Sequence, residues 1–300
     1  MKLSVMIPTY NRRASLSNCL DALERQQGVA GDFEVVLVDD GSDDGTREMI
    51  SARPQSPVFE TRFFRIDHGG PAAVRNEGIR RARGELILFI GDDIIAEPCL
   101  LAEHLKWHAA HPEPATAVFG FVTWSRELRV TPFMRWLERG GPGFRYFQFS
   151  HGRPVDVLWT CNISFKRDFL TANDGYFDEE FRFAAMEDIE LGHRLAGKNL
   201  TILYNKEAAG RHYHPTDIDS YAVRQFRVGQ STRLYWEKHP SQRRPLPAMP
   251  FWKRLLLNAA PLMKAVVSFI DRAEVSLDPR IYDFVLFYYY KKGFGSGWRE

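Results

Sequence analysis

The chain has 300 residues, is 44% hydrophobic and 26% charged, and carries a formal net charge of +2 at pH 7. Such a composition builds a full globular core, and so small a net charge removes any global electrostatic case for nucleic acid. No stretch reaches the ~20 apolar residues of a spanning helix, and Cys19, Cys99 and Cys161, at unrelated spacings, indicate neither a disulfide frame nor a zinc site. The apolar run at 3–7 is too short for a signal peptide and ends at Pro8, so the cytoplasm is the expected compartment.

In chain order, residues 3–7 read as a buried strand, followed by Pro8-Thr9-Tyr10-Asn11 and a helix over 15–24 with Leu16, Leu20 and Leu23 on one face. A second strand at 34–38 ends in Asp39-Asp40-Gly41-Ser42, and helix resumes at Thr46. A weaker strand at 59–66 and the turn His68-Gly69-Gly70-Pro71 lead into a helix over 72–82. Residues 86–90, Leu-Ile-Leu-Phe-Ile, form an unbroken apolar run that ends in Gly91-Asp92-Asp93. Four strands with three intervening helices predict a parallel sheet with crossovers. Beyond it we expect a helix over 97–110, strands at 115–124, 155–159, 162–165 and 200–204, a helix over 188–196 and a loop at 211–215. The glycine- and aromatic-rich stretch 139–153 reads as a flexible loop that covers a site or simply connects elements.

The turn after the first strand has no glycine to admit a pyrophosphate, and no phosphate-cradling glycine-lysine loop occurs, so dinucleotide and P-loop chemistry are both unlike this chain. Instead, polar groups stand at three strand ends. In a parallel sheet these ends share one edge, where open α/β sheets bind ligands. Tyr10 offers a flat face for a base, and Asp40 an acceptor for a base or ribose donor. Arg75 is placed to meet phosphate. Two adjacent carboxylates at a buried strand end call for a cation, which a diphosphate can share. An acidic turn would account for Asp92 and Asp93 equally well if they stood alone.

Together, PTYNR, VDDGSDDGT, GGPAAVRNEGIRRARGELILFIGDDI and MEDIELGHRL resemble the family-two inverting glycosyltransferases over roughly residues 3–215. The resemblance implies a GT-A fold, α/β with a mostly parallel central sheet flanked by helices, in a catalytic domain 1–240 with a helical C-terminal appendage 241–300. It implies transfer from a nucleoside-diphosphate sugar, usually a UDP-sugar, to a glycan or lipid-linked acceptor in polysaccharide or cell-envelope synthesis. Pro8, Thr9, Tyr10 and Asp40 would hold the nucleobase, with Arg75 and Asp92 beside the donor. Asp93, His212 and His214 would ligate Mn2+ or Mg2+. Asp188, or failing that Glu187, would be the general base, and Asn162 would lie on the acceptor side. Gly91 departs from the family pattern, since an Asp opens the fullest form of the metal motif. A metal-dependent nucleotidyltransferase and a non-catalytic glycan- or nucleotide-binding relative are the competing readings. The first wants a basic glycine-rich loop that PTYNR is not, and intact Asp40, Asp93 and Asp188 speak against the second.

Residues 241–300 carry ten Lys/Arg against five Asp/Glu, which leaves −3 for the rest of the chain. A Pro-rich link at 243–247 precedes Phe251-Trp252-Lys253-Arg254, an apolar 255–257, and apolar runs at 262–270 and 281–290. Aromatic and basic residues beside short apolar helices suit either peripheral membrane contact, on the inner face of the membrane, or a cap packed on the catalytic domain.

Overall fold

A computed structural model describes residues 1–143, 145–244 and 259–296. Two compact units divide the chain: Met1–Leu128 with Tyr146–His214, and Arg129–Arg145 with Pro215–Glu300.

The first unit is built on the apolar runs. Every residue of β2 (Phe33–Asp39) and β4 (Leu86–Ile90) is buried, as is all of β1 (Leu3–Thr9) except Pro8. Strands of this kind need cover on both faces. Helices α1 (Arg13–Glu24), α2 (Thr46–Ala52) and α3 (Pro71–Arg81) provide it as crossovers, and β1 pairs in parallel with β2 and β4 while β3 (Glu60–Arg65) pairs in parallel with β2. α3 can lie close to β1 because Gly78 has no side chain; a Cβ there would come within 2.3 Å of Met6 Cγ. The Glu34 carboxylate is fully buried in this core. Glu34 accepts from Ser4 Oγ at 2.6 Å, the Arg83 backbone N–H at 2.8 Å and Arg62 at 3.0 Å. Burial opposes its charge, but these donors prevail and hold the carboxyl below its usual value.

The sheet continues through β5 (Ile94–Ala96), then, after helix α4 (Leu100–Ala110), β6 (Thr116–Trp124), β7 (Pro154–Val155) and β8 (Asn162–Lys166), and, after helices α6 (Arg167–Ala172) and α7 (Glu187–Ala196), β9 (Thr201–His212), in the order β3-β2-β1-β4-β8-β6-β9-β5 with β7 also on β9. β8 is antiparallel to both β4 and β6, and β9 is parallel to β6, so β1, β2, β3, β4, β6 and β9 all run one way. The carboxyl ends of β1, β2, β4 and β9 therefore meet at one edge.

Several expectations change here. The strand expected at 155–159 is only the two-residue β7. The expected loop at 211–215 begins later, because β5, which the sequence did not reveal, pairs Ile94 with His212 and keeps that end in the sheet. The stretch 139–153 is not one loose loop. Its Tyr146 is buried, stacked on Phe119 at 5.3 Å, and Phe149 packs against Trp159 and Tyr204 at 6.0 and 5.6 Å.

The second unit is helical: α5 (Pro132–Arg139), α8 (Ile218–Lys238), α9 (Ala260–Arg272) and α10 (Pro279–Ser296), with α6 (Arg167–Ala172) and α7 (Glu187–Ala196) lying in the first unit. Asp217 and Ser220 form a capping box that starts α8. Glycines allow α8 and α10 to touch: a Cβ at Gly229 would lie 2.1 Å from the Tyr290 carbonyl, and one at Gly293 would lie 1.9 Å from that of Phe226. Asp271 accepts from the Phe133 N–H at 2.8 Å, and Tyr282 packs on Phe133 and Trp136. The expected border at 240 thus differs from the compact units, because α8 and the inserted α5 both pack with the tail helices. The tail runs expected at 262–270 and 281–290 lie within α9 and α10, whereas the link at 245–247 and the aromatic-basic run at 251–257 lie outside the described residues. No described helix is long and apolar enough to cross a membrane.

Candidate active site

The shared carboxyl edge collects the expected polar residues. Its loops are cross-tied: the Asn11 N–H donates to Ser42 Oγ and the Asp43 N–H to Asn11 Oδ1, both at 2.8 Å. Pro8 pairs with Val38 within the sheet, and Thr9 with Asp39.

At the end of β4, Asp92 Oδ2 accepts from Thr9 Oγ1 at 2.8 Å and Oδ1 accepts from Arg12 at 3.3 Å. Arg12 also pairs with Asp93, whose Oδ2 lies 3.3 Å from His212 Nε2. The ring of His214 stands 5.7 Å from that of His212. Both carboxylates are buried. Burial and the charge of Asp93 push Asp92 up to about 7. Burial opposes ionisation of Asp93 as well, but its contact with His212, the Arg12 guanidinium and the nearby His214 outweigh it and hold that carboxyl well below the usual range. Two adjacent buried acids thus share one guanidinium, that of Arg12, and the charge on Asp93 disfavours the charge on Asp92; a further cation between them would relieve that repulsion. Gly91 has a steric reason to stand where the family pattern opens with Asp: a Cβ there would lie 2.6 Å from Asp93 Oδ1.

A second cluster lies at the end of β2. The Asp40 carboxylate accepts from the backbone N–H of Gly69 at 2.8 Å and of Gly70 at 3.1 Å. His68 Nδ1 is 2.9 Å from Asp40 Oδ2, and the His68 ring stacks on Tyr10 at 4.4 Å and 22°. The Asp40 N–H donates to the Thr9 carbonyl, which ties this cluster to the acidic pair.

The third cluster differs from expectation. Arg75 does not project as a free cation; it is buried, donates to Glu187 Oε1 at 2.8 Å and lies over the Phe177 ring at 5.4 Å. Arg75 Nε and Glu187 Oε2 are buried with no hydrogen-bond partner among the described residues. Glu187 and Asp188 open α7 after Met186, which holds the left-handed φ of 72°. Asp188 is half-buried. The Cys161 thiol, pushed up to about 11 mainly by burial, also feels the charges of Asp188 and Asp93, so both carboxylates face one region. Asn162 instead belongs to the interior: its Nδ2 donates to the Ala208 carbonyl at 2.8 Å and its Oδ1 lies 2.9 Å from His104 Nε2.

Sequence reasoning assigned no role to Arg12, His68 or Cys161. Arg12 stands inside PTYNR beside the residues that were singled out, and a lone cation preceding a helix gave no signal of its own. His68 precedes Gly-Gly, where a turn explains everything visible. Only the stack on Tyr10 reveals it.

Residues 4–172 match the family model described as Glycosyl transferase family 2. The chain is 33% identical over 233 residues to validoxylamine A glucosyltransferase of Streptomyces hygroscopicus subsp. jinggangensis, covering 69% of this chain and 54% of that one. It is 34% identical over 215 residues to poly(ribitol-phosphate) beta-N-acetylglucosaminyltransferase TarS of Staphylococcus aureus, covering 69% of this chain and 35% of that one. The chain spans about half the length of the first of these relatives. Among solved structures, the mannosyltransferase PcManGT from Pyrobaculum calidifontis, in complex with GDP-Man and Mn2+, gives a TM-score of 0.61 at 18% identity, covering 97% of this chain and 86% of that one. The structure of S. aureus TarS 1-349 gives 0.56 at 19%, covering 99% and 92%. Those likenesses concern the fold, which is the α/β GT-A arrangement. With the family model matched across more than half its length, the chain belongs to glycosyl transferase family 2.

Proposed function

We propose that the chain transfers a sugar, with inversion, from a nucleoside-diphosphate sugar to a hydroxyl of a glycan or lipid-linked acceptor. The observation that carries this reading is the buried acidic pair Asp92 and Asp93 at the carboxyl edge, beside Tyr10 and Asp40. Base and ribose fit the Tyr10 and Asp40 side, through a ring face and an acceptor. Asp93 and His212 present a carboxylate oxygen and an imidazole nitrogen to one point, with His214 alongside. That donor set suits Mn2+ or Mg2+, which when bound stabilises charge on a leaving diphosphate. No group of three metal-ligating side chains converges among the described residues, so diphosphate oxygens and water would complete the coordination.

Asp188 is assigned as the general base. An inverting transfer needs one carboxylate to take the proton of the attacking hydroxyl as the new bond forms. Asp188 is half-buried at the mouth of α7, and Glu187, locked to Arg75, fixes the start of that helix. Support for a nucleotide donor comes from the solved neighbours in complex with UDP-GlcNAc and with GDP-Man. UDP-sugars are our first choice. The test is a donor panel (UDP-Glc, UDP-GlcNAc, GDP-Man) with Mn2+, scored for release of nucleotide and for the anomeric configuration of the product. Release from none of them, by a protein that binds none of them, would overturn the reading.

The tail adds a second element to the proposal. Leu262, Val266 and Phe269 fall on one face of α9 and are 70%, 49% and 75% exposed. With the excess of basic residues in 241–300, this face fits an anionic lipid surface, which would place the enzyme peripherally on the inner face of the membrane. Full-length protein should co-sediment with phosphatidylserine vesicles at low salt, and Phe269→Ser should weaken this; no co-sedimentation would make the tail a packing element.

A further inference from the structure

We infer that His68 is an internal stand-in for the nucleobase, and that the donor binds only when its imidazole leaves. This rests on the proposed placement of the base at Tyr10 and Asp40. A planar ring with an N–H suits that place because Tyr10 provides a face and Asp40 a carboxylate. His68 uses both. Its ring lies 4.4 Å from that of Tyr10, nearly parallel at 22°. Its Nδ1 lies 3.3 Å from the Asp40 carbonyl oxygen and 2.9 Å from Asp40 Oδ2; both are acceptors, so Nδ1 carries the proton and donates to the carbonyl with the carboxylate close by. These are the two contacts that a base with a ring N–H would make.

No room remains for both rings. A base sandwiched between Tyr10 and His68 would need two stacking separations, about 7–8 Å between the outer rings, against the 4.4 Å observed. The Asp40 carboxylate is also nearly saturated. It already accepts from Gly69 N–H and from Gly70 N–H, and His68 Nδ1 stands 2.9 Å from Oδ2 where a further donor would approach. The two backbone bonds hold Asp40 in place, and the imidazole contact is the exchangeable one. His68 is free to swing, since its side chain is 60% exposed and gives up little burial on leaving.

The contact is selective as well as obstructive. A ligand must bring a flat ring and an N–H donor to displace His68, so a bare diphosphate or sugar phosphate does not open the site. The groups set against His68 are Asp40 at the end of β2 and Tyr10 at the end of β1.

The experiment is calorimetric binding of UDP and GDP, with uridine as a probe lacking the diphosphate, to wild type and His68→Ala. Removing the competitor should tighten nucleotide binding roughly three- to tenfold, the worth of about one hydrogen bond. Weaker binding by His68→Ala would make His68 a bracket that stacks on the base, and unchanged binding would make it a bystander; either overturns the inference. Tyr10→Ala separates the two levels. If it weakens nucleotide binding while His68→Ala fails to strengthen it, only the stand-in role is wrong. If Tyr10→Ala changes nothing, the base lies elsewhere and both readings fall.

Discussion

Two buried polar networks share the same sheet, and they are built in opposite ways. At the carboxyl edge, Thr9, Arg12, Asp92, Asp93 and His212 crowd charges together, and the two acids are driven apart, one up to about 7 and the other well down. Between α4 and β8, by contrast, a single cation, Lys166, heads one chain of hydrogen bonds that can be written with a single direction. Lys166 Nζ faces His108 Nδ1 at 3.3 Å, His108 Nε2 is 2.8 Å from Ser164 Oγ, Ser164 Oγ is 2.7 Å from His104 Nδ1, and His104 Nε2 is 2.9 Å from Asn162 Oδ1. Lys166 has no acceptor, so it donates, and each following group then donates to the next until Asn162 donates to the Ala208 carbonyl. Every member is satisfied, which rigidifies a core. Strain and unbalanced charge concentrate where chemistry is proposed, while satisfied polarity holds the scaffold.

The largest effect that would sharpen this contrast belongs to Asp188. Its role is to take a proton in the transition state, so Asp188→Asn should lower turnover on the order of 10²–10⁴-fold with nucleotide affinity almost unchanged. Asp188 lies in the first turn of α7, not at its cap, so Asn forfeits only a favourable charge near the helix N-terminus, about 0.3–1 kcal/mol, and the melting temperature should fall by no more than a few degrees. Full turnover in a folded variant would leave Glu187 as the base, despite its bond to Arg75.

Asp93 comes next. Asp93→Ala should abolish the part of UDP binding that Mn2+ stimulates, on the order of 10–100-fold in affinity, as read by calorimetry with and without the metal. Metal stimulation that survives would put the cation elsewhere and leave the charged edge without its proposed purpose.

How far these regions were legible in the sequence follows from the range of the signals. Runs such as 86–90 announce buried strands because every side chain in them is apolar, and the four parallel strands followed. The acids at their ends could be grouped because a parallel sheet fixes where ends point. α8 escaped notice because its close approach to α10 is made by Gly229 against the Tyr290 backbone and by Gly293 against that of Phe226, and glycines carry no apolar signal to read. β5 is three residues long and exists only by pairing with β9. The buried network joins residues about sixty positions apart: Asn162 looked like a functional residue, whereas its partner His104, tied through Ser164 to His108, places it in the scaffold.

That network predicts a pH response of its own. Burial lowers His104 to about 4 and, with Lys166 adjoining, His108 to about 3, from an ordinary value of 6.5. Below 6.5 the unfolded chain therefore binds protons that the folded chain refuses, so stability is complete above 6.5 and is lost as pH falls toward 4. Between pH 7 and 5.5 the two rings together should cost about 2–3 kcal/mol in urea unfolding, and His108→Gln should remove about half of that slope. A flat profile in wild type would mean that the rings already accept protons in the fold, and the single-direction chain would be wrong.

The smallest expected effect is the one that separates the two networks most directly. Asp92 is buried and bonded to Thr9 and Arg12, so by contacts alone it resembles Asn162. Its electrostatics differ: burial and Asp93 disfavour its charge and push it up to about 7. A group whose folded pKa is raised stabilises the fold when protonated, and that contribution disappears as pH rises through 7. Asp92→Asn supplies a neutral group of the same shape, with an oxygen still able to accept from Thr9. It removes repulsion on Asp93 and leaves Arg12 its pair with Asp93. The change in stability should therefore stay within about 1 kcal/mol and become more favourable between pH 6 and 8. Ser164→Ala, which strands two buried imidazoles, should cost about 1–3 kcal/mol. Urea titrations of both variants at pH 6 and 8 make the comparison. If Asp92→Asn destabilises as much as Ser164→Ala, Asp92 is a structural tie like Asn162, and the boundary between charged edge and satisfied core has been drawn in the wrong place.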